Sequence, residues 1–146
     1  GQSILKDQSG FTLVEIIAVL IILGILAAVA VPRYIDLESS AKQRAIDAAV
    51  SELNGRESLA WADVKITYTG TTAWNNSGGG ESQVWTRMLA SGGGTTPNLG
   101  ADYTWTAAPT EGSVGSPGTG TVNFRGTAIT LNRYVSTATQ PGSWRR

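Results

Sequence analysis

The feature that most constrains this chain is an apolar run from Ile16 to Val31, which contains no charged residue and directly follows Glu15. With Phe11 as its first residue the segment 11–31 has 21 residues. As an α-helix it would be about 31 Å long, which matches a hydrocarbon core of about 30 Å. Glu15 is the exception, because an ionised carboxylate in a membrane helix costs roughly 2.5–3.5 kcal/mol and indicates a functional partner.

Composition excludes most catalytic chemistry. The 146 residues include no cysteine and no histidine, and the formal net charge is zero. The chain therefore has no disulfide, thiolate nucleophile, usual zinc site, covalent haem attachment or histidine acid–base pair. A neutral balance does not indicate a nucleic-acid partner. We expect no enzyme activity, no cofactor and no metal.

The helical pattern continues beyond Pro32 and becomes amphipathic. Apolar residues recur every three to four positions, which predicts a helix that ends near Asp63 or Val64; they are Ile35, Ile46, Ala49, Val50, Leu53, Ala60 and Val64. Pro32 removes a backbone donor and Gly24 adds backbone freedom. We expect a helix break, as a kink or local melting, between Gly24 and Pro32.

The remainder of the chain has the composition of a small β-rich head. Thirteen of the 18 glycines lie from Gly78 onward, which is typical of short strands joined by turns. Segments rich in β-branched and aromatic residues predict strands at 66–69, 103–106, 121–124 and 127–131. Arg125-Gly126 would form the turn of a hairpin. A short helix is predicted over 82–90, between glycine triplets expected to be mobile loops at 78–80 and 92–94.

The N-terminal residues resemble a known family. Gly10, Phe11 and Glu15, ahead of Gly24 and Pro32, resemble the class III leader and N-terminal helix of bacterial type IV pilins and pseudopilins, from Ser9 to about Tyr34. The resemblance implies an α+β, pilin-like fold. A leader at 1–10 would precede a long helix at 11–64, membrane-spanning over 11–31 and amphipathic over 32–64, and then an antiparallel β-rich head at 65–146.

The resemblance also implies roles for individual residues. Cleavage would occur between Gly10 and Phe11, Phe11 would be N-methylated, and Glu15 would pair with the amine of a neighbouring subunit. An ammonium and a carboxylate, each costly in an apolar medium, offset one another once paired. Thr12 is grouped with these assembly residues, although its hydroxyl is expected to satisfy a backbone carbonyl. In the family the helix around Gly24 and Pro32 can lose hydrogen bonds when subunits pack.

The implied function is structural. The chain would be a subunit of an extracellular type IV pilus-like filament, a helical homopolymer built by packing N-terminal helices. Its precursor would reside in the inner membrane. A prepilin peptidase, an assembly ATPase and a platform protein would be its partners.

Several alternatives remain open on the sequence. A pseudopilin of a type II secretion system shares every N-terminal feature. A secreted β-rich binding module would result from cleavage after Ala30, because Ala28-Val29-Ala30 has the small-x-small form of a conventional site. Glu15 alone fits a side chain that reaches the lipid headgroups, and Gly24 and Pro32 alone fit a simple bend.

Further polar residues give weaker signals. Asn75 begins an Asn-Asn-Ser sequon that is compatible with glycosylation. Arg133, Arg145 and Arg146 form a modest basic end, which we expect to be solvated rather than to contact DNA or a partner subunit. Asn98 and Asp102 lack the clustered oxygen ligands of a calcium loop.

Aromatic residues invite a comparison with an electron conduit along a filament. The residues concerned are Phe11, Tyr34, Trp61 and Trp74. Aromatic side chains bury large areas in cores and interfaces, and no haem motif accompanies them. We expect structural roles.

Overall fold

The computed structural model describes Gly10, residues 12–67, Trp74 and residues 80–146. Within these residues two helices, α1 (Leu13–Thr67) and α2 (Gly80–Ala90), precede five strands. The strands are β1 (Tyr103–Ala107), β2 (Gly112–Ser113), β3 (Ser116–Phe124), β4 (Thr127–Tyr134) and β5 (Ser143–Arg145). The chain divides into two compact units, Gly1–Ala41 and Lys42–Arg146. A long N-terminal helix and a small antiparallel sheet give the expected α+β, pilin-like fold.

The first unit consists, over its described residues, almost entirely of the N-terminal part of α1. Every residue described there is exposed, and α1 contains a window long and apolar enough to cross a membrane. The helix is unbroken across Gly24 and contains Pro32 in its interior. One proline removes one hydrogen bond while the neighbouring turns keep theirs. Helical structure is thus continuous over this region, and the kink or local melting expected between Gly24 and Pro32 stays a prediction.

The second part of α1 belongs to the head. Its buried residues are spaced by three and four positions and so form one stripe; they are Ile46, Ala49, Leu53, Glu57, Ala60 and Val64. The head unit therefore includes residues 42–67 of α1 as well as the predicted range 65–146.

The C-terminal end of α1 differs from the prediction. The helix continues to Thr67, so Ile66 and Thr67 are helical and the predicted strand at 66–69 is wrong for them; its last two residues lie outside the described part. Val64 is fully buried, and the Thr67 hydroxyl donates to the Asp63 carbonyl oxygen at 2.8 Å. Packing of the last turn has outweighed the β propensity of these side chains.

The sheet is antiparallel, in the order β1-β3-β4-β5, and β2 pairs with the beginning of β3. The three predicted strands in this region are confirmed within β1, β3 and β4, whereas β2 and β5 are too short for a periodic signal. The hairpin at Arg125-Gly126 is also confirmed. Arg125 and Gly126 have φ of 48° and 88°, the two positive values of a two-residue type I′ hairpin turn.

Helix α2 begins at Gly80, two residues before the predicted start. Gly80 is buried, and a Cβ there would lie 2.2 Å from the Trp74 ring. A Cβ on Gly92 would lie 1.6 Å from the Thr96 carbonyl oxygen. Both glycines therefore allow close packing, which corrects the expectation of mobile loops at these two positions.

The core joins α1, α2 and the inner face of the sheet. Its buried side chains include Leu53, Val84, Val122, Leu131 and Trp144. Trp61, Trp74, Trp85 and Trp105 pack against it, as expected for structural aromatics. Tyr34 is exposed, and Phe11 lies outside the described residues.

Candidate assembly site

The N-terminus of α1 is closed by reciprocal hydrogen bonds between Thr12 and Glu15. The Thr12 backbone N–H donates to Glu15 Oε2 at 2.9 Å, and the Glu15 backbone N–H donates to Thr12 Oγ1 at 3.2 Å. Thr12 directly precedes the first helical residue, Leu13, so Thr12 and Glu15 occupy the N-cap and N3 positions of a capping box. The carboxylate of Glu15 thus has a partner within its own chain.

This arrangement corrects one expectation and adds one feature. The Thr12 hydroxyl accepts from a backbone amide, a role that differs from the expected donation to a carbonyl. The order Thr-x-x-Glu before an apolar run is the sequence signature of a capping box. Gly10, with φ of 62°, precedes this motif, and the predicted amine of Phe11 lies outside the described residues.

An exposed apolar surface begins at the capping box and continues along α1. The large apolar side chains from Leu13 to Val31 are between 43% and 76% exposed. Exposed patches of this size mark interaction with other proteins or with a membrane. Glu15 therefore lies at the N-terminal end of a surface that the described part of the chain leaves uncovered.

The head contains a second unusual carboxylate. Glu57 of α1 and Arg133 of β4 form an ion pair in which both side chains are 0% exposed. Arg133 Nε donates to Glu57 Oε2 at 3.1 Å, and Arg133 Nη2 donates to Glu57 Oε1. Such pairing is necessary because a buried charge without a partner costs several kcal/mol.

Further donors complete the environment of Glu57. Ser136 Oγ donates to Oε1 at 3.1 Å and Trp144 Nε1 donates to Oε2 at 3.0 Å. Arg133 Nη1 donates to the Glu111 carbonyl oxygen at 2.7 Å. One carboxylate of α1 thus joins β4 to the segment that follows it.

The C-terminal residues are bound to the same helix. The Asn54 side chain exchanges two hydrogen bonds with the backbone of Trp144, at 2.6 and 3.1 Å. Arg146 pairs with Asp47 at 3.2 Å. Since the chain has no cysteine, these polar contacts, together with core packing, hold the C-terminal end of the head.

The expectation of a solvated basic end is wrong for Arg133. It left out the contacts of Arg145 with Tyr134 and of Arg146 with Asp47. Arg133 is fully buried, its guanidinium carbon lies 4.6 Å from the Trp85 ring centroid, and Arg145 has the same distance from Tyr134. Because side chains alternate across a strand, extending the predicted strand at 127–131 would have placed Arg133 on the face of buried Leu131. No signal in the sequence identified Glu57 as its partner.

Glu81 of α2 gives a pH-dependent prediction. Burial raises the pKa of Glu81, the nearby Glu111 carboxylate raises it further, and the Arg133 guanidinium opposes both effects. A raised folded-state pKa means that the folded chain binds more protons than the unfolded chain between the two pKa values. The contribution of Glu81 to stability is therefore largest below its unfolded pKa and falls as pH rises through the folded pKa.

We therefore expect Glu81→Gln to raise the free energy of unfolding at pH 7 relative to the parent chain, with a smaller effect at pH 4. The measurement is denaturant unfolding of both chains across this range. A difference between them that stays constant with pH would contradict the prediction.

The remaining candidate residues do not form a site. Asn98 Oδ1 accepts from the Gly100 N–H at 2.9 Å, and Asp102 lies 3.6 Å from Arg125. Within the described ranges no group of three acidic, histidine or cysteine side chains is placed to hold a metal. Asn75 lies outside the described residues.

Comparison with known proteins agrees with the N-terminal geometry. A family model described as the prokaryotic N-terminal methylation motif matches residues 5–31. This range includes Thr12, Glu15 and the whole exposed apolar surface of Leu13 to Val31.

Three curated relatives match longer stretches of the chain than the family model does. The chain is 37% identical over 79 residues to the type IV narrow pilus major component PilA5 of Thermus thermophilus, covering 53% of this chain and 68% of that protein. It is 36% identical over 96 residues to a fimbrial protein of Pseudomonas aeruginosa, covering 55% and 61%. A match of 36% over 88 residues to fimbrial protein Q of Moraxella bovis covers 49% and 56%.

All three relatives are named as components of pili or fimbriae, and none as an enzyme. No solved structure matches the chain significantly. The methylation motif at residues 5–31, the long helix with a small antiparallel sheet, and a relative matched over 68% of its length agree with one another. The chain belongs to the type IV pilin family.

Proposed function

We propose that this chain is a structural subunit of an extracellular type IV pilus-like filament, assembled by packing the N-terminal parts of α1. The observation that carries the proposal is the exposed apolar surface of Leu13 to Val31 with a single carboxylate, Glu15, at its N-terminal end. Apolar side chains alone do not favour helix contacts over lipid, so close packing and polar pairs must supply specificity. Glu15 is the polar group available at this surface.

The assembly step exchanges partners of Glu15. In the single chain its carboxylate accepts from the Thr12 amide. Cleavage between Gly10 and Phe11 would free an amine at Phe11, methylated in the processed subunit, and a neighbouring Glu15 would bind that ammonium. A charged donor makes a stronger hydrogen bond to a carboxylate than a neutral amide does. The exchange would favour one axial register between subunits.

The remaining parts of the proposal follow from this assembly. Three segments would act one after another. The leader at 1–10 would act in processing, the segment 11–31 would span the membrane and then form the filament core, and the head would be part of the finished filament. The precursor would reside in the inner membrane and be processed by a prepilin peptidase. An assembly ATPase and a platform protein would insert it into a filament at the cell surface, where heterologous contacts generate an open fibre. Melting around Gly24 and Pro32 would accompany packing.

The experiment is intact mass and N-terminal sequencing of the protein in a sheared surface fraction, with electron microscopy of the same fraction. Methylated Phe11 in long filaments is the expected result. A protein in soluble medium that begins at Val31 would replace the proposal with a secreted module. Short assemblies confined to the periplasm would replace it with a pseudopilin of a type II secretion system. Filaments of a chain that keeps its leader would remove the pairing of Glu15 with the Phe11 amine.

A further inference from the structure

The outer face of the sheet carries an ordered set of uncharged hydrogen-bonding groups. Val122 and Leu131 point into the core, so their neighbours along β3 and β4 point away from it. These neighbours and their partner on β1 are named here the threonine–asparagine face: Thr104, Thr119, Thr121, Asn123, Thr130 and Asn132. Each is exposed or half-buried.

Strand register places these side chains in rows across the sheet. Thr121 is opposite Thr130, Thr119 is opposite Asn132, and Asn123 is opposite Thr104. The hydroxyls of Thr121 and Thr130 lie 3.2 Å apart. Neighbouring strands are about 4.8 Å apart, so the face offers hydroxyl and amide groups at the spacing of the strands.

One end of the face continues into two clefts on either side of Tyr134. The first has a volume of about 250 Å³ and includes Val114 and Pro117 in its lining. The second, of about 190 Å³, includes Gln140 and Arg145. Both are smaller than the roughly 300–1,000 Å³ of clefts that enclose drug-sized ligands. Each therefore suits one small unit of a longer chain.

Tyr134 supplies an apolar surface between the clefts. Its side chain is 41% exposed, and the Arg145 guanidinium carbon lies 4.6 Å from its ring centroid. Among the described residues, Arg145 is the one charged residue that lines either cleft, and no residue of the threonine–asparagine face is charged. Nucleic acids and anionic membranes select several cations, so this surface does not have the chemistry to bind them.

We propose that this face and the two clefts bind an uncharged polysaccharide. Threonine hydroxyls and asparagine amides both donate and accept hydrogen bonds, as sugar hydroxyls do. The apolar face of a sugar ring packs on an aromatic side chain such as Tyr134. An extended, β-1,4-linked glycan advances by close to one strand spacing for each sugar, so successive sugars lying across the strands would meet side chains of successive strands. A filament would array many copies and raise the avidity, but the contact itself does not depend on assembly.

The test uses the purified full-length chain in detergent, pelleted with microcrystalline cellulose or with chitin. The test variant is Thr130→Lys, which places a charge at the centre of the face, and the matched control is Thr86→Lys on the exposed surface of α2. We expect retention on at least one of the two solids. Thr130→Lys should weaken retention about tenfold or more, equivalent to about 1.4 kcal/mol, and Thr86→Lys should leave it unchanged.

Tryptophan fluorescence verifies folding of each variant, and Tyr134→Ala or Thr119→Lys replaces Thr130→Lys if that variant does not fold. Equal retention of parent and face variants would overturn the inference, as would the absence of retention on both solids. Retention on alginate alone, lost at high salt, would replace it with an ionic surface. Electron microscopy of the same variants reports filaments separately, so a failure of the proposed function and a failure of this inference give different results.

Discussion

Glu57→Ala is expected to lower the free energy of unfolding of the head by about 3–5 kcal/mol, because removing one partner of a buried ion pair leaves the other charge without compensation. Arg133 is 0% exposed, so its guanidinium has no contact with water in the folded chain. The measurement is denaturant unfolding of the full chain in detergent, monitored by tryptophan fluorescence. All five tryptophans lie between residues 61 and 144, so the signal reports on the head.

Two controls separate the charge effect from general truncation. Glu52→Ala removes the exposed pair of Glu52 with Arg56 on the same helix, for which about 0.3–0.5 kcal/mol is expected. The double change of Glu57→Leu with Arg133→Met removes both charges and should cost less than Glu57→Ala alone. A loss below about 1 kcal/mol for Glu57→Ala would mean that this pair does not hold the head together.

Glu15→Gln is expected to abolish surface filaments while leaving the precursor in the membrane. The change removes a charge that, in the proposed assembly, pairs with an ammonium in an apolar medium. Loss of such a pair costs about 3–5 kcal/mol for each contact, which is more than a hundredfold in an association constant. The measurements are the quantity of the chain in sheared surface fractions and in membrane fractions.

The capping box explains why glutamine is the informative replacement for Glu15. Glutamine keeps the side-chain oxygen that accepts from the Thr12 amide, and it is tolerated at N3 of a capping box. Thr12→Ala is the matched control, because it removes the N-cap at a cost of about 1 kcal/mol but leaves the carboxylate. We expect filaments from Thr12→Ala and none from Glu15→Gln. The reverse result would assign Glu15 to helix capping alone and remove the intersubunit pair.

Local patterns in the sequence were sufficient for the elements that depend on neighbouring residues. The apolar run of 11–31 predicts the helix by its length, and the residues Gly10 to Glu15 carry the family resemblance. Alternating β-branched residues predict the strands on either side of Arg125-Gly126. The capping box was equally readable, since Thr12 and Glu15 are three residues apart. Each of these features depends on a spacing of only a few positions.

Only the tertiary structure decided where Arg133 and the C-terminal segment lie and which residues they contact. Glu57 and Arg133 are 76 residues apart, and Asn54 and Trp144 are 90 residues apart. The amino-acid sequence determined a long apolar helix, a hairpin and an assembly motif, because helix and strand periods are local properties of the chain. It did not determine that Arg133 would be buried. That depends on which face of α1 the sheet covers and on the presence of the Glu57 carboxylate on that face, which compensates the charge.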